Sequence, residues 1–232
     1  MTEKLLQLLK AGTSAIMVVK EAEQQLKEAG FEELCFSNTW GLTEGGKYYM
    51  KHHDTTLSGR IAVKSNDVMH PDMRYIDIKR PLMTIPNLAI HMNREVNKGV
   101  ELNRQIDMLP IVGLLEKELN EKQAFLKFLA KEEGVAVEDI LDYELWVYCM
   151  QEPVTFGMNE ELILSPRLDN LTSVQALLTG IIEGKQKKGI NVIALFDHEE
   201  IGSKTKQGAG SLLLLNVLEK ICDSFGKTTA QT

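Results

Sequence analysis

The sequence predicts an α/β fold. The apolar run Asn191–Phe196 has the composition of a buried strand. A helical pattern from Thr172 to Glu183 precedes this run, and a second one from Ser211 to Ile221 follows it. Helices that alternate with an apolar strand are typical of an open sheet covered by helices.

The amino-terminal third predicts helices followed by short strands. Apolar residues recur at helical spacing between Lys4 and Ala29, which favours one or two amphipathic helices. Residues 31–57 predict short strands, separated by turns at Asn38 and at Gly45–Gly46.

The middle of the chain predicts further strands and then a long helix. Ile61–Val63 and Tyr75–Ile78 have strand composition, and prolines punctuate the region around them. A helical pattern follows from Met108 to Glu133, and a short element begins at Val137.

Composition excludes several classes of protein. The 232 residues carry a net charge of −7, so a nucleic-acid partner is not expected. No run approaches the ~20 apolar residues that a membrane helix needs, and no signal-peptide pattern is present, so we expect a cytoplasmic protein without a membrane partner. The cysteines Cys35, Cys149 and Cys222 are too few and too widely spaced for a disulfide framework or a thiolate metal site.

Two adjacent carboxylates follow the apolar run. Glu199 and Glu200 stand where the predicted strand emerges into a loop, and open α/β sheets place their chemistry at that edge. Neighbouring residues there point in different directions, so one carboxylate can bind a metal while the other moves a proton. The alternative interpretation is a solvated acidic loop.

Asp169 stands at a second junction of the same kind. It lies between the apolar stretch Leu162–Leu164 and the helical pattern that starts at Thr172. A lone Asp in this position is most often a helix cap, and Asn170 and Thr172 could cap as well. The cap interpretation does not explain why the two acidic junctions occur as a pair.

Together these segments resemble the M18 family of zinc aminopeptidases, the aspartyl aminopeptidase and aminopeptidase I group. The resemblance rests on Pro166–Leu171, Asp197–Ser203 and Gln207–Ser211, and it extends upstream through Gly59–Lys64, Lys79–Pro81 and Ile85–His91. It implies a zinc-peptidase-like central sheet flanked by helices, with an inserted β-rich dimerisation domain. The implied divisions are 1–57 for the first part of the catalytic domain, 58–163 for the inserted domain and 164–232 for the second catalytic part.

The resemblance also implies roles for individual residues. Asp169 would bridge two metal ions, Glu200 would be a terminal ligand of one metal, and Glu199 would be the general base that activates water. His91 would reach the active site of a neighbouring subunit in a homo-oligomer, although a histidine in an apolar segment is often a hydrogen-bonded structural residue. The implied substrate is a peptide, and the implied metal is zinc. The carboxylates of Asp169 and Glu200 also accept cobalt or manganese, so the residues alone do not select zinc.

The sequence departs from the family pattern in its metal ligands. It contains no His-x-Asp-Ser-Pro motif, which would be expected at the join between Leu57 and Ser58, and in the family that segment also supplies strands. The family also places a further metal Asp and a last metal His beyond the Gln207–Ser211 segment, and the given sequence ends soon after it, at Thr232. We therefore expect weak metal binding, uncovered apolar faces and self-association.

Two functions are consistent with these features. The first is a metal-dependent aminopeptidase that removes amino-terminal residues, possibly acidic ones, from peptides. The second is a catalytically inactive M18 relative that acts as an oligomerisation or interaction module through residues 60–163. The missing ligands favour the second function, and the retained Asp169, Glu199 and Glu200 favour the first.

Overall fold

The computed structural model describes residues 2–51, 59–114, 123–185 and 189–227. The helices within these ranges are α1 (Thr2–Ala11), α2 (Ala15–Glu28), α3 (Ala124–Glu133), α4 (Leu168–Glu183) and α5 (Leu213–Ser224). The strands are β1 (Glu32–Glu33), β2 (Tyr48–Tyr49), β3 (Gly59–Val63), β4 (Asp72–Tyr75), β5 (Ile140–Leu145), β6 (Val154–Phe156) and β7 (Leu162–Leu164). No helix in the described residues is both long and apolar enough to cross a membrane.

Three helices build the main hydrophobic core. The buried side chains of this core come from α1, α2 and α4, and burying each of its large aliphatic side chains stabilises the fold by about 1.5–3 kcal/mol. The core residues are Leu8, Leu9, Ala22, Leu171, Val174 and Leu178. The turn between α1 and α2 is tight at Gly12, where a Cβ atom would lie 2.7 Å from the carbonyl oxygen of Leu8.

The strands form small sheets. β1 and β2 pair in parallel, β6 and β7 pair antiparallel, and a three-stranded sheet has the order β4-β3-β5. In the β6–β7 pair, Val154 lies opposite Leu164 and Phe156 lies opposite Leu162. Thr84 and Ile111 form an isolated antiparallel bridge.

The chain divides into two compact units. Unit 1 comprises Met1–Ile61, Met73–Tyr75 and Tyr143–Thr232, and it contains the helical core. Unit 2 comprises Ala62–Asp72 and Ile76–Asp142, and in it Leu129 of α3 is fully buried. The domain divisions expected from sequence, at 57/58 and 163/164, remain predictions.

Helix prediction was most accurate near the amino terminus and in α4. The single pattern over residues 4–29 forms α1 and α2, which are separated at Gly12–Ser14, and Ser14 caps α2 by accepting a hydrogen bond from the Met17 N–H at 3.5 Å. The predicted helix over Met108–Glu133 was wrong in its first part, because Ile111 is in the bridge to Thr84. Residues 115–122, like the predicted join at 57/58, lie outside the described residues.

The predicted strand Asn191–Phe196 was wrong. The segment has no strand structure, and within the described part of the chain no strand lies beside it. A strand is defined by the hydrogen bonds of a partner, so strand composition alone does not produce one.

Candidate functional site

The three predicted site carboxylates line one cleft of unit 1. The cleft has a volume of about 1810 Å³, and its lining includes Asp169 from one acidic junction and Glu199 and Glu200 from the other. Residues of α2, α4 and α5 form much of the remaining lining. The two acidic junctions recognised in the sequence therefore belong to one concave surface.

Asp169 lies in an irregular first turn of α4. Its backbone is not helical, with φ −81° and ψ 116°, and the Asp169–Asn170 peptide bond is cis. The Asp169 side chain is exposed and has no hydrogen-bond partner among the described residues. Thr172 instead donates from its hydroxyl to the carbonyl oxygen of Leu168 at 3.0 Å. The structure gives no support to Asp169 as a helix cap, and its carboxylate is available to a ligand.

Arg167 positions this junction. Its backbone is left-handed, with φ +65°, and its Nη2 donates to the carbonyl oxygen of Leu9 at 2.8 Å. Its Nη1 donates to the carbonyl oxygen of Cys149 at 3.4 Å. Because Leu9 is in the last turn of α1, the guanidinium binds a helix end where carbonyl groups lack intrahelical partners. This structural role was not recognised in the sequence, although Arg167 lies within the motif.

Glu199 and Glu200 lie on a single 3₁₀ turn. The turn Glu199–Ile201 is flanked by His198 with φ +61° and Gly202 with φ +96°. Both glutamate side chains are exposed, and neither has a hydrogen-bond or ion-pair partner in the described residues. The backbone therefore presents two adjacent carboxylates toward the cleft without neutralising either of them.

The loop after this turn folds back onto it. The N–H of Ser203 donates to the His198 carbonyl oxygen at 2.9 Å, and the N–H of Gly210 donates to the Ser203 carbonyl oxygen at 3.0 Å. The ring Nδ1 of His198 lies 2.7 Å from the hydroxyl of Thr205. His198, which the sequence left without a role, thus fixes the loop that carries the carboxylates.

His91 lies in unit 2. It is in an exposed turn and has no hydrogen-bond partner in the described part of the chain. The hydrogen-bonded structural alternative for this histidine has no support here. Its predicted catalytic role stays a prediction.

The described residues do not by themselves form a complete zinc site. No group of three or more His, Cys, Asp and Glu side chains in the described residues is arranged to hold a metal ion. Zinc takes about three protein ligands in catalytic sites and four in structural sites. Asp169 and Glu200 can supply oxygen ligands, but other groups have to complete the coordination.

The fold and the paired acidic junctions are those of a peptidase family. Residues 52–232 match the model of the family described as "Aminopeptidase I zinc metalloprotease (M18)". The chain belongs to the M18 family.

Relatives of known sequence agree with this assignment. The "Probable M18 family aminopeptidase 2" of Clostridium acetobutylicum is 31% identical over 288 residues, covering 97% of this chain and 66% of the relative. The protein of the same name from Clostridium novyi is 44% identical over 169 residues, with coverages of 73% and 39%. "Aspartyl aminopeptidase 4" of Saccharomyces cerevisiae is 37% identical over 219 residues, with coverages of 82% and 45%. The chain therefore spans less than two thirds of each of these relatives.

Solved structures share the fold. Chaetomium thermophilum mApe1 superposes with a TM-score of 0.80 at 22% identity, covering 97% of this chain and 68% of that one. The "S. cerevesiae mApe1 dodecamer" superposes with a TM-score of 0.70 at 18% identity, with coverages of 96% and 66%. The α/β fold of the M18 aminopeptidases is thus confirmed for this chain.

Proposed function

We propose that this chain carries part of the active centre of a metal-dependent aminopeptidase that hydrolyses amino-terminal residues from peptides. The observation that carries the proposal is the placement of Asp169, Glu199 and Glu200 along one cleft. None of the three side chains has a hydrogen-bond or ion-pair partner among the described residues. Exposed carboxylates without a protein partner are common on protein surfaces, so the placement of these three in one cleft of an M18 chain is what supports ligand and proton-transfer roles.

The three carboxylates would have different tasks. Glu199 would accept the proton of the attacking water, because an unpaired carboxylate in a cleft can act as a general base. Asp169 and Glu200 would each donate carboxylate oxygens to the zinc centre. Zinc, when bound, supplies positive charge that polarises a peptide carbonyl. Because the described residues lack a group of three ligands, the centre depends on further groups.

Three finer features belong to the same proposal. The proposed substrate has an acidic amino-terminal residue, in line with the name of the yeast relative. The proposed assembly is a homo-oligomer, as the dodecamer of the yeast structure suggests, in which His91 acts on a neighbouring subunit. The proposed centre would hold two divalent metals, with Asp169 among the residues that supply their ligands.

The experiment is a hydrolysis assay with amino-terminal Asp, Glu and Leu peptides in the presence of zinc. Glu199→Gln should lower the rate by about 10²–10⁴-fold, because an amide cannot accept the proton. The matched control is Glu219→Gln, an exposed glutamate on α5, which should leave the rate unchanged. Equal and measurable rates for the Glu199→Gln protein and the unaltered protein would contradict the assignment of Glu199 as the base.

The second candidate is an inactive M18 relative that acts as an interaction module. The interaction-module function is favoured by the surface of unit 2, where many apolar side chains between Ile85 and Leu114 are exposed. The exposed fractions are 57% for Leu102 and 71% for Ile106. No hydrolysis by any variant, together with a stable assembly through unit 2, would select this function over the peptidase.

A further inference from the structure

Helix α5 lines the candidate cleft without contributing to the main core. Leu214, Val217 and Ile221 of this helix line the cleft, and no residue of α5 is buried. The main core comes from α1, α2 and α4, and none of the described side chains that pack against it belongs to α5. Most of the stability of a helix in a protein comes from tertiary packing, so the few contacts that α5 does make decide how firmly it is held.

Lys220 attaches α5 to the loop of residues 35–40. Its Nζ donates a hydrogen bond to the carbonyl oxygen of Phe36 and lies 5.0 Å from the centre of the Phe36 ring and 4.7 Å from the centre of the Trp40 ring. Both distances are within the roughly 6 Å over which an ammonium group is attracted to an aromatic face. A surface lysine normally extends its ammonium group into water, whereas this one is turned onto two rings and a carbonyl group.

The loop that receives Lys220 is held in shape by its own contacts. Trp40 is 6% exposed, and its indole N–H donates to the carbonyl oxygen of Cys35 at 2.8 Å. The N–H of Asn38 donates to the same oxygen at 3.1 Å. The Phe36 ring lies edge-on to the Trp40 ring, with 6.5 Å between the ring centres and 83° between the ring planes, which is a favoured aromatic arrangement. The site for the ammonium group therefore exists independently of Lys220.

The position of α5 also bears on the loop that carries the two adjacent carboxylates. The helix begins at Leu213, three residues after Gly210, whose N–H donates to the carbonyl oxygen of Ser203 at 3.0 Å. A displacement of α5 therefore acts on the end of the loop that begins at Glu199 and Glu200 as well as on the lining of the cleft.

We propose that Lys220 is a positioning residue that holds α5 against residues 35–40 and thereby fixes one wall of the candidate cleft. Within the described part of the chain, no other side chain of α5 makes a hydrogen bond to a residue outside the helix. The contact needs a positive charge, because both the aromatic faces and the carbonyl oxygen attract a cation. This inference rests on contacts within unit 1 and does not require metal binding or peptidase activity.

The test compares amide hydrogen exchange in Lys220→Met, Lys220→Arg and the unaltered protein. Methionine keeps a long apolar side chain without the charge, so the amides of α5 and of Gly210 should exchange about tenfold faster. Arginine keeps the cation and should leave these rates close to those of the unaltered protein. Exchange in α1 should not change in either variant, because this helix is held by the core.

Lys185→Met is the control for removal of a lysine charge. Lys185 is exposed and has no partner among the described residues, so this substitution should leave exchange in α5 unchanged. A second measurement needs no variant to fold. In the unaltered protein, ring currents of Phe36 and Trp40 should move the Lys220 Hε resonances upfield of those of a solvated lysine.

Three results would overturn the proposal. The first is a Lys220 Hε resonance at the position of a solvated lysine, which would show that the ammonium group does not rest on the rings. The second is equal exchange of the α5 amides in Lys220→Met and the unaltered protein. The third is exchange in Lys220→Arg as fast as in Lys220→Met, because a retained cation would then not hold the helix.

Discussion

A Cβ atom at position 208 would lie 2.2 Å from the carbonyl oxygen of Ser203. Real Cβ atoms do not approach backbone oxygens this closely, so only glycine permits the chain to pass Ser203 at this point. The contact closes the loop that begins at Glu199 and Glu200. The presentation of both carboxylates therefore depends on a residue that has no side chain.

Gly208→Ala should destabilise the protein by about 1–3 kcal/mol, because the backbone of the loop has to shift to admit a methyl group. Urea denaturation measures the change in the free energy of unfolding. Gly180→Ala is the control, since this helical glycine has open space around its Cβ position and should stabilise α4 by about 0.5–1 kcal/mol. Equal stability of the Gly208→Ala and unaltered proteins would contradict the observed loop conformation.

Glu23 should contribute stability that is lost in acid. Its carboxylate lies 2.6 Å from Lys27 Nζ and 2.8 Å from Lys51 Nζ, and these ammonium groups lower the pKa of Glu23 from 4.5 to about 2. The depressed pKa means that the contribution is complete above pH 4.5 and disappears as pH falls toward 2. Glu23→Gln should cost about 1–2 kcal/mol at pH 7, because solvent screens part of the interaction with the half-exposed Lys27.

The measurement for Glu23 is the free energy of unfolding between pH 7 and pH 2.5. The difference between the unaltered protein and Glu23→Gln should shrink as the pH falls through this range. Glu219→Gln changes an exposed glutamate of α5 and should leave the profile unchanged. A constant difference at all pH values would refute the ion pairs as its source.

Arg167→Gln should destabilise unit 1 by about 1–3 kcal/mol. The substitution removes the guanidinium that donates to the carbonyl oxygens of Leu9 and Cys149. Thermal unfolding followed by circular dichroism provides the measurement. Arg94→Gln changes an exposed arginine without a partner in the described residues, and it should have little effect. Similar melting of both variants would show that Arg167 does not anchor the end of α1.

The exposed apolar side chains of unit 2 should cause self-association. Light scattering at micromolar concentration should give a mass that is a multiple of the calculated 26.1 kDa. Ile106→Glu should lower that mass, because it places a charge at a 71% exposed apolar position. Glu101→Gln alters a nearby exposed polar residue instead of an apolar one, so it is the control and should leave the mass unchanged. A mass of 26.1 kDa for the unaltered protein would refute the homo-oligomer.

The helices were largely predictable because their signals are local. Apolar spacing predicted α1, α2 and α4, and Ser14 marks the start of α2 as capping residues generally do. The grouping of Asp169 with Glu199 and Glu200 along one cleft was expected from the two acidic junctions in the sequence, but not by way of a shared sheet, because residues 191–196 form no strand.

The remaining errors involved structure that depends on distant partners. Asn191–Phe196 has every local property of a strand, but pairing requires a neighbouring strand that the described chain does not provide. The role of Arg167 was similarly hidden, since its partner Leu9 is far away in the sequence. His198 and Thr205 are closer together, but their contact depends on left-handed backbone at His198 that composition does not reveal.

The central claim is that Asp169 and Glu200 are metal ligands and that Glu199 is not. Zinc titration followed by calorimetry, on the intact protein and its variants, tests it most directly. The account predicts weak zinc binding by the unaltered protein, retained by Glu199→Gln and lost by Asp169→Asn and by Glu200→Gln. Unchanged zinc binding by Asp169→Asn, or its loss in Glu199→Gln, would contradict the account.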